Sequence, residues 1–143
     1  MNGKAKNLTR KGEFDYDFIR DILFFKVKDR QYERSLELDN LVIDIDEENF
    51  IVGLQIFDAS KYFGIPKVYL RVAFSWKMQA SVSKISEEES KVEVRLMFQI
   101  KRRNKILQPE PIITHSIRDS MEDSRMVCTV DKGPDISCLL SKP

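Results

Sequence analysis

The chain has 143 residues, of which 42% are hydrophobic and 33% are charged, and its 24 basic and 23 acidic side chains nearly cancel. This length is typical of one domain with a single core, and the apolar content argues against a disordered chain. The near-zero net charge excludes a strong overall field that would recruit nucleic acid or a membrane.

The sequence offers no signal for export or membrane insertion. The N-terminal residues lack the apolar block of a secretory signal, and no apolar run approaches the roughly 20 residues of a membrane helix. Cys128 and Cys138 lie late in the chain, where a bridge would close only a short loop. We therefore expect reduced thiols and a cytoplasmic protein without membrane contact.

Composition along the chain suggests three regions. Residues 1–12 are polar and carry four cations without helical or strand periodicity, so we expect a flexible basic tail. Residues 13–130 form the predicted single β-rich domain. Residues 131–143 contain a Gly-Pro pair and little pattern, and we expect a C-terminal tail.

The domain opens with segments that favour strands. A compact turn over residues 16–21 leads into β-branched and aromatic residues at 22–27, and a second strand is expected over 32–38. Apolar side chains then alternate over residues 40–46, and an acidic turn leads into residues 50–57. These last two segments predict a β-hairpin.

Two short helical turns are predicted after this hairpin. Asp58 can cap the first turn, and Gly64 can end it in the left-handed conformation. Pro66 can start the second turn, which runs to about Val72.

Period-two alternation is clearest in the middle of the chain. Large apolar side chains alternate with polar ones from Phe74 to Val82, and the pattern returns from Val92 to Ile100 after a polar turn. This pattern predicts an antiparallel hairpin with one face in the core and one in solvent. Trp76 lies on the apolar face, so we expect it to be a core residue.

The last third of the domain is expected to complete the sheet. Pro109 and Pro111 should interrupt pairing, after which residues 113–117 alternate again. A charged turn or short helical segment over 118–125 precedes a last short strand that ends at Val130. The predicted fold class is therefore mainly β (α+β at most), an antiparallel β-meander or set of hairpins with one or two short helical turns.

Two segments of the first half resemble the prokaryotic family catalogued as domain of unknown function 2283. The first is Tyr16-Asp17 followed by Asp21-Ile22-Leu23-Phe24-Phe25, and the second runs from the acidic Ile43-Asp44-Ile45-Asp46 to the Ala59-Ser60 ending, with Gly53 between them. The resemblance covers about residues 14–64, which divides the domain into a family-like half (13–64) and an extension (65–130).

The chain departs from the family's pattern at two positions of the second segment. Asn49 stands where the family usually has Gly at the hairpin tip, and Gln55 stands where it has an acidic residue. The resemblance implies a small β-meander that acts as a binding module. It implies no catalytic residue.

Asp17, Asp21 and Asp44 are the candidate ligands for a divalent cation, because carboxylate oxygens suit such ions. The stronger interpretation is structural, since Asp is a preferred turn and cap residue. Asp44 and Asp46 also share one side of a strand, which we expect to face solvent. A calcium-binding loop starting at Asp44 fails, because it would need glycine and glutamate where the chain has Asn49 and Gln55.

The histidine and the cysteines do not define a catalytic or zinc site. His115 is the only histidine, flanked by Thr114 and Ser116, and no third residue is identifiable that would orient it. Together with Cys128 and Cys138 it offers three zinc ligands without a closely spaced pair. Glycine-rich phosphate loops are also missing from the sequence. We predict no catalytic residue and no cofactor.

Two charged segments remain as candidate interaction surfaces. Lys101, Arg102, Arg103 and Lys105 are the candidates for polyanion binding, although cations at a strand end also protect against edge aggregation. Residues 44–58 contain five acids and no Lys or Arg. The two segments could pair between copies of the chain or bind a charged partner.

Three functions follow from these observations. The favoured one is a non-catalytic protein-interaction module, homodimeric or bound to a small protein partner, that uses exposed strand edges. The alternatives are a metal-dependent enzyme or metal-binding domain built on the aspartates, and a nucleic-acid-binding protein that uses residues 101–105.

Overall fold

The structure is a computed structural model that describes residues 6–130. It contains ten strands and two short helices, and none of these helices is long and apolar enough to cross a membrane. In chain order they are β1 (Lys6–Asp17), β2 (Ile22–Val27), β3 (Arg34–Leu38), β4 (Leu41–Ile45), β5 (Ile51–Phe57), α1 (Ala59–Phe63), α2 (Lys67–Val72), β6 (Phe74–Lys84), β7 (Ser90–Arg102), β8 (Lys105–Leu107), β9 (Ile112–Ile117) and β10 (Ser124–Val130).

All ten strands belong to one sheet. Its order is β3-β4-β5-β2-β1-β10-β6-β7-β8, and β9 pairs with the same outer side of β7 as β8 does. Neighbouring strands are antiparallel except for β1 and β10, which are parallel. The predicted mainly β class, with hairpins and two short helical turns, is confirmed.

β1 departs from the prediction of a flexible tail over residues 1–12. Residues 6–12 pair in parallel with β10, from Lys6 opposite Ser124 to Gly12 opposite Val130, and residues 12–17 pair with β2. The cations of this segment point to solvent, so they hide the alternation that would have indicated a strand. Residues 1–5 and the predicted tail 131–143 lie outside the described residues.

The parallel pair joins the two halves of the predicted domain. β1 to β5 contain most of the family-like half (13–64), and β6 to β10 contain the extension (65–130). Because β1 is bonded to β2 on one side and to β10 on the other, the two halves share one sheet.

The core follows the predicted alternation. The apolar face of β6 and β7 is buried, and Trp76 is only 3% exposed, which confirms its assignment to the core. The Trp76 ring stacks on Phe14 of β1 and on Phe98 of β7, with centroid distances of 4.0 and 4.2 Å. Phe25 of β2 meets Trp76 edge-on. This aromatic stack connects strands from both halves.

The sheet curls until its two outer edges approach each other. Arg34 at the start of β3 forms a 2.7 Å ion pair with Asp119, which follows β9 at the opposite edge. Helices α1 and α2 connect β5 to β6, and Ala59 and Leu70 from these helices join the same core. A single sheet can therefore bury its apolar face on itself, with the helices at one end.

Replacing Trp76 by alanine should lower the free energy of unfolding by about 3 to 5 kcal/mol, because it removes a buried ring and leaves a cavity. Urea denaturation measures the change. Tyr32→Ala is the control, because Tyr32 is 60% exposed and its loss should change stability by less than about 0.5 kcal/mol. Equal effects of the two substitutions would contradict the core assignment.

Candidate functional site

The β1–β2 turn is built around the buried carboxylate of Asp21. The Tyr16 hydroxyl donates to this carboxylate at 2.6 Å, and Ser60 donates to it through its hydroxyl at 2.6 Å and its backbone N–H at 3.0 Å. Asp21 itself adopts a left-handed conformation with φ of 58°, which Asp tolerates better than most residues. The residues of both family-like segments therefore meet at one point.

Asp21 also supplies the cap that was expected from Asp58. The Asp21 carbonyl accepts a hydrogen bond from the Ala59 N–H at 3.0 Å, so Asp21 binds the first two N–H groups of α1. Asp58 precedes the helix in a left-handed conformation, and its side chain makes no cap hydrogen bond. The predicted capping role of Asp58 is wrong, whereas Gly64 ends α1 with φ of 68° as predicted.

The hydrogen bonds at Asp21 favour its ionised form. Burial opposes ionisation, but the hydrogen bonds from Ser60 and Tyr16 outweigh it, and the pKa of Asp21 is lowered from its ordinary value of 3.8. Burial and the neighbouring carboxylate raise the pKa of Tyr16. At neutral pH a phenol therefore donates to a carboxylate, an arrangement that stabilises the turn.

The three metal candidates do not come together. Asp17 accepts a hydrogen bond from the Arg20 N–H, and Asp44 accepts one from the Ser35 hydroxyl. Asp44 lies opposite Gly53 of β5, whereas Asp17 and Asp21 lie near Phe57 at the end of that strand. Gly53 and Phe57 are four residues apart, which corresponds to roughly 13 Å along the strand. Within residues 6–130, no group of three His, Cys, Asp or Glu side chains is placed to hold a metal ion.

The acidic turn between β4 and β5 corrects the prediction for Asp46, which is buried and not solvent-facing. A register shift at Ile45 turns its carboxylate inward, where it accepts hydrogen bonds from the backbone N–H groups of Glu48 and Phe50. Arg30 donates to the same carboxylate at 2.6 Å. Asp46 is thus a structural residue of the turn.

His115 and Cys128 are both held away from catalytic partners. The Nε2 atom of His115 is buried and has no hydrogen-bond partner within residues 6–130. Burial raises the pKa of the Cys128 thiol to about 11, so it stays protonated at neutral pH. Cys138 lies outside the described residues. This part of the chain forms no nucleophile–base pair at His115.

The four polyanion candidates form the tip of the β7–β8 hairpin. Arg102 lies opposite Lys105, and Arg103 adopts φ of 57° in the two-residue turn between them. Lys101, Arg102, Arg103 and Lys105 are all exposed. The hairpin therefore brings together all four cations that the sequence singled out.

Helix α2 adds two cations that sequence reasoning missed. Lys67 Nζ lies 4.9 Å and Arg71 Cζ 4.8 Å from the centroid of the Phe18 ring. Arg102 of the hairpin reaches the same helix, with its Cζ 5.6 Å from the Tyr69 ring centroid. Lys67 and Arg71 are four residues apart, and this spacing on a predicted helical turn was the signal that could have found them.

Charge is divided between the two ends of the sheet. The end opposite the basic hairpin is formed by residues 28–33, 46–50, 85–89 and 118–123, which contain eleven acidic and three basic side chains. The helices, the β1–β2 turn and the hairpin lie at the other end, where basic side chains are in excess. The net charge of +1 conceals this separation.

These features define a class of small proteins with a curled, mostly antiparallel sheet and an Asp-centred turn that holds a short helix. The chain belongs to the family described as "Protein of unknown function (DUF2283)", whose model matches residues 13–60. This match confirms the resemblance stated for residues 14–64. The matched segment contains Tyr16, Asp21 and Ser60, so the family-like residues are those that build the turn.

Two curated archaeal proteins are similar to this chain over more than the family-like half. One, from Methanosarcina mazei, is named "Putative hypoxanthine phosphoribosyltransferase" and is 30% identical over 95 residues, 66% of this chain and 73% of its own length. The other, "Uncharacterized protein MJ0789" from Methanocaldococcus jannaschii, is 31% identical over 98 residues, 68% of this chain and 82% of its own length. No solved structure matches the chain significantly.

Replacing Asp21 by asparagine should destabilise the protein by about 2 kcal/mol at neutral pH, because it removes a charged acceptor of three hydrogen bonds. Since the pKa of Asp21 is lowered by folding, this contribution is present above pH 3.8 and is lost as the pH falls through the lower, folded-state pKa. Denaturation of wild type and variant over a pH series measures the difference.

Asp58→Asn is the matched control, because Asp58 has a similar φ of 53° without a side-chain cap bond. Its effect should stay below about 0.5 kcal/mol. A destabilisation by Asp21→Asn that did not shrink in acid would contradict the role of the carboxylate.

Proposed function

We propose that the protein is a non-catalytic interaction module that self-associates through the outer edge formed by β8 and β9. The observation that carries this proposal is that three aliphatic side chains are exposed along that edge. Ile106 is 55% exposed, Leu107 43% and Ile112 51%. Apolar groups exposed along a sheet edge favour association with another chain.

The backbone of this edge is suited to pairing. Within residues 6–130, β9 pairs on one side only, with β7, so its other side offers N–H and C=O groups to a further strand. Thr114 and Ser116 are exposed, whereas Ile113 and Ile117 are buried and His115 is half-buried. The exposed hydroxyl side chains are compatible with a strand partner. The six-residue strand β9 can thus pair with β9 of a second copy across a two-fold axis.

The opposite edge is less suited to association. β3 exposes Ser35 and Glu37, and its first residue, Arg34, is already held by Asp119. Charged side chains on an edge strand oppose pairing with another chain. β9 carries no Lys, Arg, Asp or Glu, so the contrast between the two edges favours β9 as the strand that pairs.

Pro109 and Pro111 limit how far pairing can extend along this edge. Their carbonyls accept hydrogen bonds from the N–H groups of Phe98 and Leu96 on β7, and a proline has no N–H to offer outward. A second chain therefore cannot pair continuously along both β8 and β9. This restriction favours a closed dimer over an open-ended assembly.

The name of the Methanosarcina mazei relative raises an enzymatic alternative, in which phosphoribosyl groups would have to be bound. Phosphate groups are commonly bound by backbone N–H groups of a glycine-rich loop. The glycines of residues 6–130 are Gly12 and Gly53, which lie inside strands, and Gly64, which ends α1. These positions support the interaction module better than a phosphoribosyltransferase.

Replacing Ile106 and Ile112 by glutamate should abolish concentration-dependent self-association, because it places charges in the apolar contact. Sedimentation velocity over a wide range of protein concentrations measures the assembly. Ile85→Glu is the control, because Ile85 is 53% exposed but lies in the β6–β7 turn. A wild-type protein that stays monomeric, or an equal effect of Ile85→Glu, would refute the proposal.

A further inference from the structure

Two aromatic rings support three cations at the basic end of the sheet. The charged groups of Lys67 and Arg71 both lie within 5 Å of the centroid of the Phe18 ring. Arg102 lies against the ring of Tyr69, a residue of α2. We call these five residues the basic-aromatic cluster. It joins three segments that are far apart in sequence: the β1–β2 turn, α2 and the β7–β8 hairpin.

The cations of the cluster are available to an external ligand. Within residues 6–130, Arg71 and Arg102 form no ion pair with a carboxylate, in contrast to Arg30 and Arg34 at the other end of the sheet. Lys67 forms no such pair either, although its charge helps to lower the pKa of the Asp21 carboxyl. Arg71 and Arg102 are exposed, and Phe18 is 37% exposed. Contact with aromatic faces positions a cation without neutralising its charge.

Further groups widen this surface. The same end of the sheet carries other cations beside the cluster, and helix α1 exposes the ring of Tyr62, which is 45% accessible. The additional exposed cations are Arg20, Lys61, Lys101, Arg103 and Lys105. Cations spaced between exposed aromatic rings are the combination that binds phosphates and stacks on bases.

The charge separation of the molecule would orient such a ligand. The acidic loops lie at the far end of the sheet, so a polyanion is attracted to the basic end and repelled from the other. We propose that the basic-aromatic cluster and its neighbouring cations bind single-stranded nucleic acid. A single strand fits because its bases are free to stack on Tyr62 and on the arginine side chains.

Fluorescence polarisation with a labelled uridine oligonucleotide, measured over a series of salt concentrations, tests the proposal. The affinity of the wild-type protein should fall steeply with salt. The slope of log K against log salt should become flatter by about 2 in the triple variant Lys67→Gln, Arg71→Gln, Arg102→Gln. This change corresponds to about 0.7 for each lost phosphate contact. Tyr62→Ala should weaken binding by roughly tenfold and leave the salt slope unchanged.

The control variant is Lys28→Gln, Lys91→Gln, Arg118→Gln, which removes the same charge from exposed cations near the acidic end. It should keep the wild-type affinity and slope. Absence of salt-dependent binding, or equal loss in the control, would overturn the proposal. Preferential binding of duplex DNA or anionic vesicles would also overturn the proposal. The same holds if the basic end of one copy binds the acidic end of another in a salt-sensitive assembly that the triple variant abolishes.

Discussion

The double pairing of β1 is the interaction on which the rest of the structure depends. β1 is antiparallel to β2 on one side and parallel to β10 on the other. Gly12 lies where both pairings meet, and a Cβ atom there would collide with Cys128 Sγ and approach the Lys26 carbonyl oxygen to 2.8 Å. Only glycine lets the three strands come this close. Without β1, both β2 and β10 would become open edges and the two halves would lose their common core.

The buried carboxylates that the family-like half contributes have structural roles. Asp21 binds the start of α1, and Asp46 binds the turn after β4, so both buried carboxylates are satisfied by their own chain. The surfaces that remain are the apolar edge at β8 and β9 and the basic end at α2. Both are completed by residues beyond the family match at 13–60.

Local patterns predicted most of the strands, and long-range contacts explain what they missed. β6 and β7 were predicted because each is buried on one face, which leaves a clear period of two. β1 was missed because exposed cations mask its few apolar positions and because its partner β10 lies more than 100 residues away. The cap of α1 comes from Asp21 and not from the neighbouring Asp58. Sequence distance hides this cap as well, because Asp21 and Ser60 meet only in the folded chain. Lys67 and Arg71 could have been found from their spacing, but the ring that supports them comes from another segment.

Native-state hydrogen exchange at residues 6–12 tests the central claim most directly, because these residues were expected to be a tail and instead form the part of β1 that pairs with β10. We predict that the β1 amides bonded to β10 are protected from exchange, because the parallel pairing from Lys6 to Gly12 holds them in backbone hydrogen bonds. Exchange of residues 6–12 at the rate of an unstructured chain, with β6 still protected, would contradict the account.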